Sequence, residues 1–552
     1  MLSRVNKKII PLAAVISIFL CSGCSSINEG AAKAAPSSVQ MMELDSKYKE
    51  KNVKDNYGIT YEICPYSFAD SNGDGIGDIK GIINNLDYLN DGDPETDDDL
   101  GVNGIWLTPV SKAYSYHKYD ITDYKSIDPS FGTLADYDEL VKKCHKRGMK
   151  VYYDLVINHT SDKHPWFKKA ASYLRSIGDG DIDTNICPYS GFYNFSKEEK
   201  TGYVKLDGTS YYYEARFWGG MPDLNLDNDN VRQEIIDIMK FWIGHGVDGF
   251  RLDAVTSYYT GNVDKNIEFL KWLNDEGKKI KSDLYFVGEA WTNQATYAKL
   301  YDSGIDSFFD FDYADSSGVV AKTTKGIYTA EQFAKSLSDS EQLYSEHNPN
   351  MIDAPFYTNH DMARSSGYYM SFKNAKTLTK VSGALNLLMK GNAFVYYGEE
   401  LGMKGSGKDE NKRQPMYWTR SKSGSYSKIM CDPVKGSDQV KMEYPPFDKQ
   451  KDDPLSIYNY YKTAMHLRES FPEISEGDTI VNENLSKDGV AVVEKGEVCL
   501  VINLSKKKKT VDLSKTEFKE LSGTLNVSKA RVEMKDGKIT IPSYDIALIT
   551  KK

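Results

Sequence analysis

The chain has 552 residues, of which 40% are hydrophobic and 27% charged, with a formal net charge of −10. That length exceeds a lone α/β barrel of about 250 residues, so additional modules are expected. The negative balance speaks against nucleic acid or anionic lipid as a partner. The 39 Tyr supply amphipathic rings that suit a sugar surface and an ordinary core equally.

At the N-terminus Arg4, Lys7 and Lys8 precede an apolar run from Ile9 to Leu20. The run is too short to span a bilayer and has the flanks of a signal peptide. It ends in LCSGC (20–24), before a polar Ala- and Ser-rich stretch. These residues resemble the lipobox of bacterial lipoproteins, with Cys24 as the acylated residue and Cys21 where Leu or Val is usual. The expectation is a signal peptide over 1–24 and a linker over 25–50. The product is exported and lipid-anchored to the outer side of a bacterial membrane, or secreted if Cys24 is not acylated. Cys64, Cys144, Cys187, Cys431 and Cys499 would then remain. An odd, dispersed set argues against a disulfide scaffold.

Barrel strands follow in order: 58–63, 104–109, 150–158, two that end at Asp253 and Glu289, then 305–309, 354–357 and 393–398. Helical patterns such as 135–148 and 231–243 separate most of them, the alternation of a parallel sheet. The fold class is therefore α/β, a (β/α)8 TIM barrel built from 51–158 and 218–464. Between them, about 70 residues rich in Gly, Tyr and Asp with no long helix read as an excursion domain, placed at 159–217. From 465 to 552 short alternating strands such as GVAVVE (489–494) read as an antiparallel β-sandwich.

After the first strand, DSNGDGIGD (70–78) sets oxygen side chains at alternate positions with Gly between them. Such spacing lets a short loop wrap a hard cation. The start matches an EF-hand, yet the twelfth position is Gly81 instead of Glu and a strand precedes it. An unoccupied Asx-rich turn is the other reading.

Asp253 in GVDGFRLDAV (246–255) and Glu289 in DLYFVGEAW (283–291) each close a short apolar run, so each belongs at a strand's C-terminal tip. In a parallel barrel those tips share one crevice. Two carboxyls about 5–5.5 Å apart there are what a retaining glycosidase needs. Arg251, two residues before Asp253 on the same strand face, can keep that carboxylate ionised by charge pairing.

Six segments in order, GIWLTP (104–109), DLVINH (154–159), MPDLN (221–225), GFRLDA (249–254), VGEA (287–290) and TNHD (358–361), resemble the α-amylase family, glycoside hydrolase family 13. The resemblance covers about residues 57–465. It implies a nucleophile at Asp253, a general acid/base at Glu289, and a third carboxylate at Asp361 that holds hydroxyls of the distorted sugar. It implies sugar contacts from Tyr119, His117, His159, Arg251 and His360, with Asp154 and Arg364 orienting the site. The 70–78 loop resembles the calcium loop of the oligo-1,6-glucosidase branch, with Asp70, Asn72, Asp74, the Ile76 carbonyl and Asp78 as Ca2+ ligands. The substrate implied is α-glucan (starch and maltooligosaccharides), acted on by a monomer.

In the glucosidase branch an Asp three residues before the stacking Tyr pairs with an Arg to close the pocket. Arg413 resembles that Arg, but position 116 holds Tyr116, so the salt bridge is missing and endo-type cleavage of α-1,4 bonds is expected. Ala254 after the nucleophile points the same way. Trp166, Trp218, Trp291 and Trp418 are candidate sugar platforms. An α-glucosidase or neopullulanase-like hydrolase and a 4-α-glucanotransferase are the alternatives. A non-catalytic starch-binding surface lipoprotein is the remote one, disfavoured because a pure binder needs none of Asp253, Glu289 and Asp361.

Overall fold

The computed structural model describes residues 56–551 other than 95 and 97. The signal segment, the linker and Cys24 lie outside the described residues. Seven parallel strands form one curled sheet: β1 Ile59–Ile63, β2 Gly104–Leu107, β3 Lys150–Leu155, β4 Gly249–Leu252, β5 Tyr285–Gly288, β6 Ser307–Phe308 and β7 Ala393–Tyr396. Their spatial order is β6-β5-β4-β3-β2-β1-β7. β1, β2, β4, β5, β6 and β7 are buried throughout, because helices cover the outside and side chains fill the inside. Trp106, Tyr152, Tyr285, Phe309, Phe356 and Phe394 make up most of that interior packing.

The ring closes through segment 354–356, which bridges Phe309 to Ala354 on one side and Phe356 to Phe394 on the other, both in parallel sense. The sequence predicts a regular strand here. Pro355 lacks an N–H and can only accept, taking Phe394 N–H at 2.8 Å, so the eighth stave pairs in single bridges. Asp253 and Glu289 each lie one residue past the end of β4 and β5. The same barrel mouth therefore receives both.

The excursion after β3 departs from expectation in one respect. It contains a 13-residue helix, Pro165–Ile177, where no long helix was expected. Phe167, Ala170, Ala171 and Leu174 are its buried face, a helical spacing. Pro165 starts it, and Gly178 ends it at φ +58. A three-stranded antiparallel sheet follows, Phe195–Ser196, Tyr203–Lys205 and Tyr212–Glu214. The chain rejoins the barrel where Asp223 bridges His159 and Leu224 bridges Tyr193, past the expected limit at 217.

The expected boundary at 465 falls inside a helix, Ile457–Ser470, most of which is buried. Arg468 in it is fully buried and donates to the Leu387 and Met389 carbonyls, so the helix belongs to the barrel. The C-terminal strands begin at Ile480 and form a five-stranded and a three-stranded sheet, antiparallel throughout. Val492, Val501, Val511, Ile539 and Ile549 share the core between them, as in a sandwich. Among the described residues no helix is long and apolar enough to cross a membrane.

Candidate active site

Arg251 stands at the centre of the barrel mouth with no solvent exposure. Its Nη1 donates to Asp154 Oδ1 at 2.8 Å and to Asp253 Oδ1 at 2.7 Å, and its Nη2 donates to Glu289 Oε2 at 2.7 Å. Register explains the convergence, since Arg251 on β4 lies level with Asp154 on β3 and Val287 on β5. The guanidinium lies 5.0 Å from the Trp106 ring centre, and the Trp106 Nε1–H donates to Asp154 Oδ2 at 3.1 Å. A buried cation thus carries three carboxylates from three adjacent strands.

One guanidinium cannot neutralise three carboxylates in a buried setting, so one of them is pressed to keep its proton. The pressure falls most on Glu289 and less on Asp154, which burial pushes up to about 6. For Glu289, burial raises the pKa, Arg251 opposes that, Asp253 and Asp361 add to it, and the result is about 7. The direct bond from Arg251 works against this shift, and burial with two further carboxylates outweighs it. Glu289 Oε2 also accepts the Ala254 N–H at 3.2 Å. With Oε2 accepting twice, the acid proton belongs on Oε1. Ala254 holds φ +48 to direct that N–H, a left-handed conformation uncommon for a residue with a Cβ.

A second charged chain runs beside the first. His360 Nδ1 meets Glu62 Oε1 at 2.6 Å, and Nε2 meets Asp361 Oδ2 at 3.1 Å and the Tyr119 hydroxyl at 2.7 Å. Burial alone would lower the histidine's pKa, but Asp361 and Glu62 overcome it and raise it to about 10. His360 is therefore an imidazolium that donates from both nitrogens. Burial would push the Asp361 carboxyl up, yet His360 and Arg413 hold it well below the usual range. Arg413 Nη2 lies 2.7 Å from Asp361 Oδ1, and its Nη1 donates to the Tyr116 hydroxyl at 2.9 Å. The acid expected opposite Arg413 is absent, as the sequence implies, but a phenol takes its place and the contact persists.

Tyr119 lies on the His360 ring with centroids 5.3 Å apart and planes within 10°. Its hydroxyl donates to Asp154 Oδ2 at 3.0 Å. His159 reaches the Tyr119 carbonyl at 3.2 Å, and burial lowers its pKa. His117 accepts the Tyr119 N–H on Nδ1 at 3.2 Å. Burial first and Arg413 second push His117 down to about 4, against Asp120 and Asp361. These predicted site residues meet at one mouth.

Two sequence candidates do not. Arg364 stacks on Tyr396 and Tyr397 and donates to the Lys412 and Tyr397 carbonyls, bracing the loop after β7. Trp418 is a core residue, 1% exposed, with its Nε1–H on the Phe68 carbonyl at 2.8 Å. Trp166 is partly buried against Tyr124 and Phe192, while Trp218 and Trp291 are exposed. Sequence reasoning missed Glu62 and Trp106. A carboxylate inside the apolar strand ITYEI was the available signal for Glu62.

The 70–78 loop folds onto itself. Asp70 accepts the N–H groups of Asn72, Gly73 and Gly75; Asp78 accepts those of Ser71 and Gly81, capping the helix Ile79–Asn84. Asn72 Oδ1 accepts the Asp74 N–H, and Asp74 Oδ1 accepts the Ile76 N–H. The donor set is all hard oxygen and suits a calcium-type ion in kind. Among the described residues, however, no three His, Cys, Asp or Glu side chains converge at metal distance.

The family model of the α-amylase catalytic domain matches residues 62–477. Alpha-amylase 3 of Dictyoglomus thermophilum is 35% identical over 501 residues, which span 89% of this chain and 92% of that protein. An oligo-1,6-glucosidase of Heyndrickxia coagulans is 29% identical over 510 residues, 76% of this chain and 86% of its own. Among solved structures, Eubacterium rectale Amy13B superposes with a TM-score of 0.88 at 44% identity, covering 94% of this chain and 99% of its own. The α-amylase of H. orenii gives a TM-score of 0.76 at 34% identity, over 90% and 100% of the two chains.

Proposed function

Because the chain belongs to the α-amylase family of glycoside hydrolases, we propose that it cleaves internal α-1,4-glucosidic bonds of starch and maltooligosaccharides with retention at the anomeric carbon. The observation that carries this reading is the Arg251 guanidinium shared by Asp253 and Glu289. It donates a hydrogen bond to the Asp253 carboxylate, placed as the nucleophile, while burial raises the Glu289 carboxyl to about 7 and suits it to act as the acid, the division of labour that retaining cleavage demands. Asp253 attacks the anomeric carbon and forms a covalent glycosyl-enzyme. Glu289 delivers the Oε1 proton to the departing glycosidic oxygen, then takes a proton from the attacking water. Asp361, kept anionic between His360 and Arg413, holds sugar hydroxyls together with His360, His117 and His159, and Tyr119 stacks on the ring.

Endo-type action rests on Tyr116. A phenol opposite Arg413 accepts one charge-assisted hydrogen bond, where a carboxylate would add its own charge and a second, bidentate bond. An incoming internal chain segment displaces it at lower cost. Product analysis on amylose, pullulan and maltotriose, with starch viscosity followed in parallel, tests the reading. Early viscosity loss with maltose and longer products supports it. Glucose released alone from chain ends indicates an α-glucosidase, and longer sugars formed from maltotriose indicate a glucanotransferase.

The proposal extends to export of a monomer anchored through a lipid on Cys24, on the strength of the N-terminal pattern. Mass analysis of the mature N-terminus tests this, since an unmodified Cys24 or a different cleavage site refutes the anchor. It also includes one structural Ca2+ held by Asp70, Asn72, Asp74, the Ile76 carbonyl and Asp78. The carboxylates keep lone pairs beyond those given to backbone N–H groups, and binding requires them to turn one oxygen inward.

A further inference from the structure

A cleft of 510 Å3 opens where the excursion domain meets a covering helix of the barrel. Its walls come from the antiparallel hairpin Ser111–Ala113 and Ile121–Ile127, the first turn of the helix Pro165–Ile177, and the helix Asp229–Gly244. None of the residues gathered at the catalytic mouth lines it. Lys112, Lys125, Lys163 and Lys168 do, and all four are exposed. Lys163 pairs with Asp162 at 2.8 Å, while Lys112, Lys125 and Lys168 have no ion-pair partner among the described residues. Asp123 and Glu234 are the acids on the same walls, so cations outnumber anions here in a chain whose net charge is −10. A concave surface with that local excess draws anions.

His164 gives the cleft a directed donor. It is 4% exposed, and as the N-cap of the helix it accepts the Trp166 N–H on Nδ1 at 3.2 Å. Burial lowers its pKa to about 4, against Asp123, so the ring is neutral and its proton sits on Nε2. That N–H has no acceptor among the described residues. A buried donor left unpaired costs free energy, and a ligand oxygen in the cleft relieves it. The helix adds the positive end of its dipole at the same place.

The opposite character is also present. Trp166 and Tyr124 stack with centroids 5.9 Å apart and planes at 27°, and with Ile238 they give the cleft an apolar side. The Tyr124 hydroxyl donates to the Val156 and His159 carbonyls at 3.0 and 2.9 Å, which fixes that side to the chain behind the mouth.

We propose that this cleft binds a phosphate-bearing small molecule built on a compact ring, a ligand of the hexose phosphate kind. Lysines supply point charges to a phosphate, and the His164 Nε2–H adds one charge-assisted bond of fixed direction. The volume falls within the range of about 300–1,000 Å3 found for small-molecule sites, more room than a lone phosphate fills. The apolar side accommodates the C–H face of a ring. The site is separate from the mouth and does not depend on which glycosidic bond the mouth cuts.

Isothermal titration of the full chain at low salt, with glucose 6-phosphate, inorganic phosphate and glucose as probes, tests the proposal. Glucose 6-phosphate should bind about tenfold or more tightly than either of the others, and added salt should weaken it. The Lys112→Ala/Lys168→Ala double variant, changed only at exposed positions, should keep the wild-type melting temperature and weaken this binding about tenfold or more. His164→Asn keeps a capping oxygen, removes the Nε2 donor, and should weaken it by about tenfold. If that variant melts early, the double lysine variant carries the test. Absence of glucose 6-phosphate binding to the wild type, or binding that the lysine variant leaves unchanged, would overturn the site. Binding abolished by saturating maltose would place the probe in the mouth and overturn it too. Equal affinity for inorganic phosphate would assign the cleft to the free anion and overturn the ring-bearing ligand.

Discussion

His360 Nδ1 lies 2.6 Å from Glu62 Oε1, joining β1 to the loop after segment 354–356 across 298 positions of sequence. Both groups are almost fully buried, so the ion pair works at short range without solvent screening. After Asp361, it is the second support of the imidazolium form, and that cation helps to keep Asp361 ionised. A residue outside the recognised motifs therefore helps to set the charge state of one inside them.

The first prediction concerns Glu62→Gln. A histidine raised to about 10 from its ordinary value near 6.5 contributes stability that is complete below about 6.5 and lost as pH climbs through 10. Removing one of its two carboxylates lowers that upper limit. The variant should lose about 1–3 kcal/mol at neutral pH, and its melting temperature should fall at lower pH than the wild type's. Superimposable melting profiles between pH 6 and 10 would show that the pair has no such role.

Asp253→Asn should leave the fold and maltooligosaccharide binding nearly intact, because the amide can still accept from Arg251. Turnover should fall by several orders of magnitude with the nucleophile gone. If the variant keeps as much as about a tenth of wild-type turnover, another group is the nucleophile.

Glu289 is expected to control the alkaline limb of the pH profile. Acid catalysis needs the protonated form, so kcat/KM should decline as pH rises through about 7. Glu289→Gln should abolish that limb and be far less damaging with α-maltosyl fluoride, whose leaving group needs no proton. A variant whose loss is the same on the fluoride and on starch contradicts the acid role.

Chelation should lower the wild-type melting temperature, since an ion bound only by the folded loop stabilises it by mass action. Asp74→Ala should be insensitive to chelator, with a melting temperature close to that of the chelated wild type. No response of the wild type to chelator would remove calcium from the 70–78 loop.

Tyr116→Asp replaces the phenol that Arg413 Nη1 now meets at 2.9 Å with a shorter carboxylate side chain, which pairs with Arg413 once the 116 loop moves inward. The closure should tighten, and products should shift from maltose and longer sugars toward glucose. An unaltered product distribution, with the variant folded, would separate position 116 from the mode of attack.

Sequence alone determined the βα alternation, the two strand-tip acids and the order of the six motifs, because each is a local pattern of burial along one strand. It also placed Tyr119, His117, His159, Arg251, His360 and Asp361 at one mouth through motif position. It misjudged segment 354–356, where Pro355 spoils the ladder, and overlooked the helix Pro165–Ile177 within a Gly- and Tyr-rich stretch. It set the sandwich boundary inside Ile457–Ser470, whose nearly complete burial blurs the helical stripe that marks a surface helix. Tertiary structure alone decided that Glu62 meets His360, that Tyr116 still answers Arg413, and that Arg364 and Trp418 stand away from the mouth. These are contacts between groups up to 350 residues apart, side chain to side chain for the first two and side chain to backbone for Trp418. Local sequence fixes which face of a strand a residue takes; only closure of the barrel brings those faces within hydrogen-bond distance.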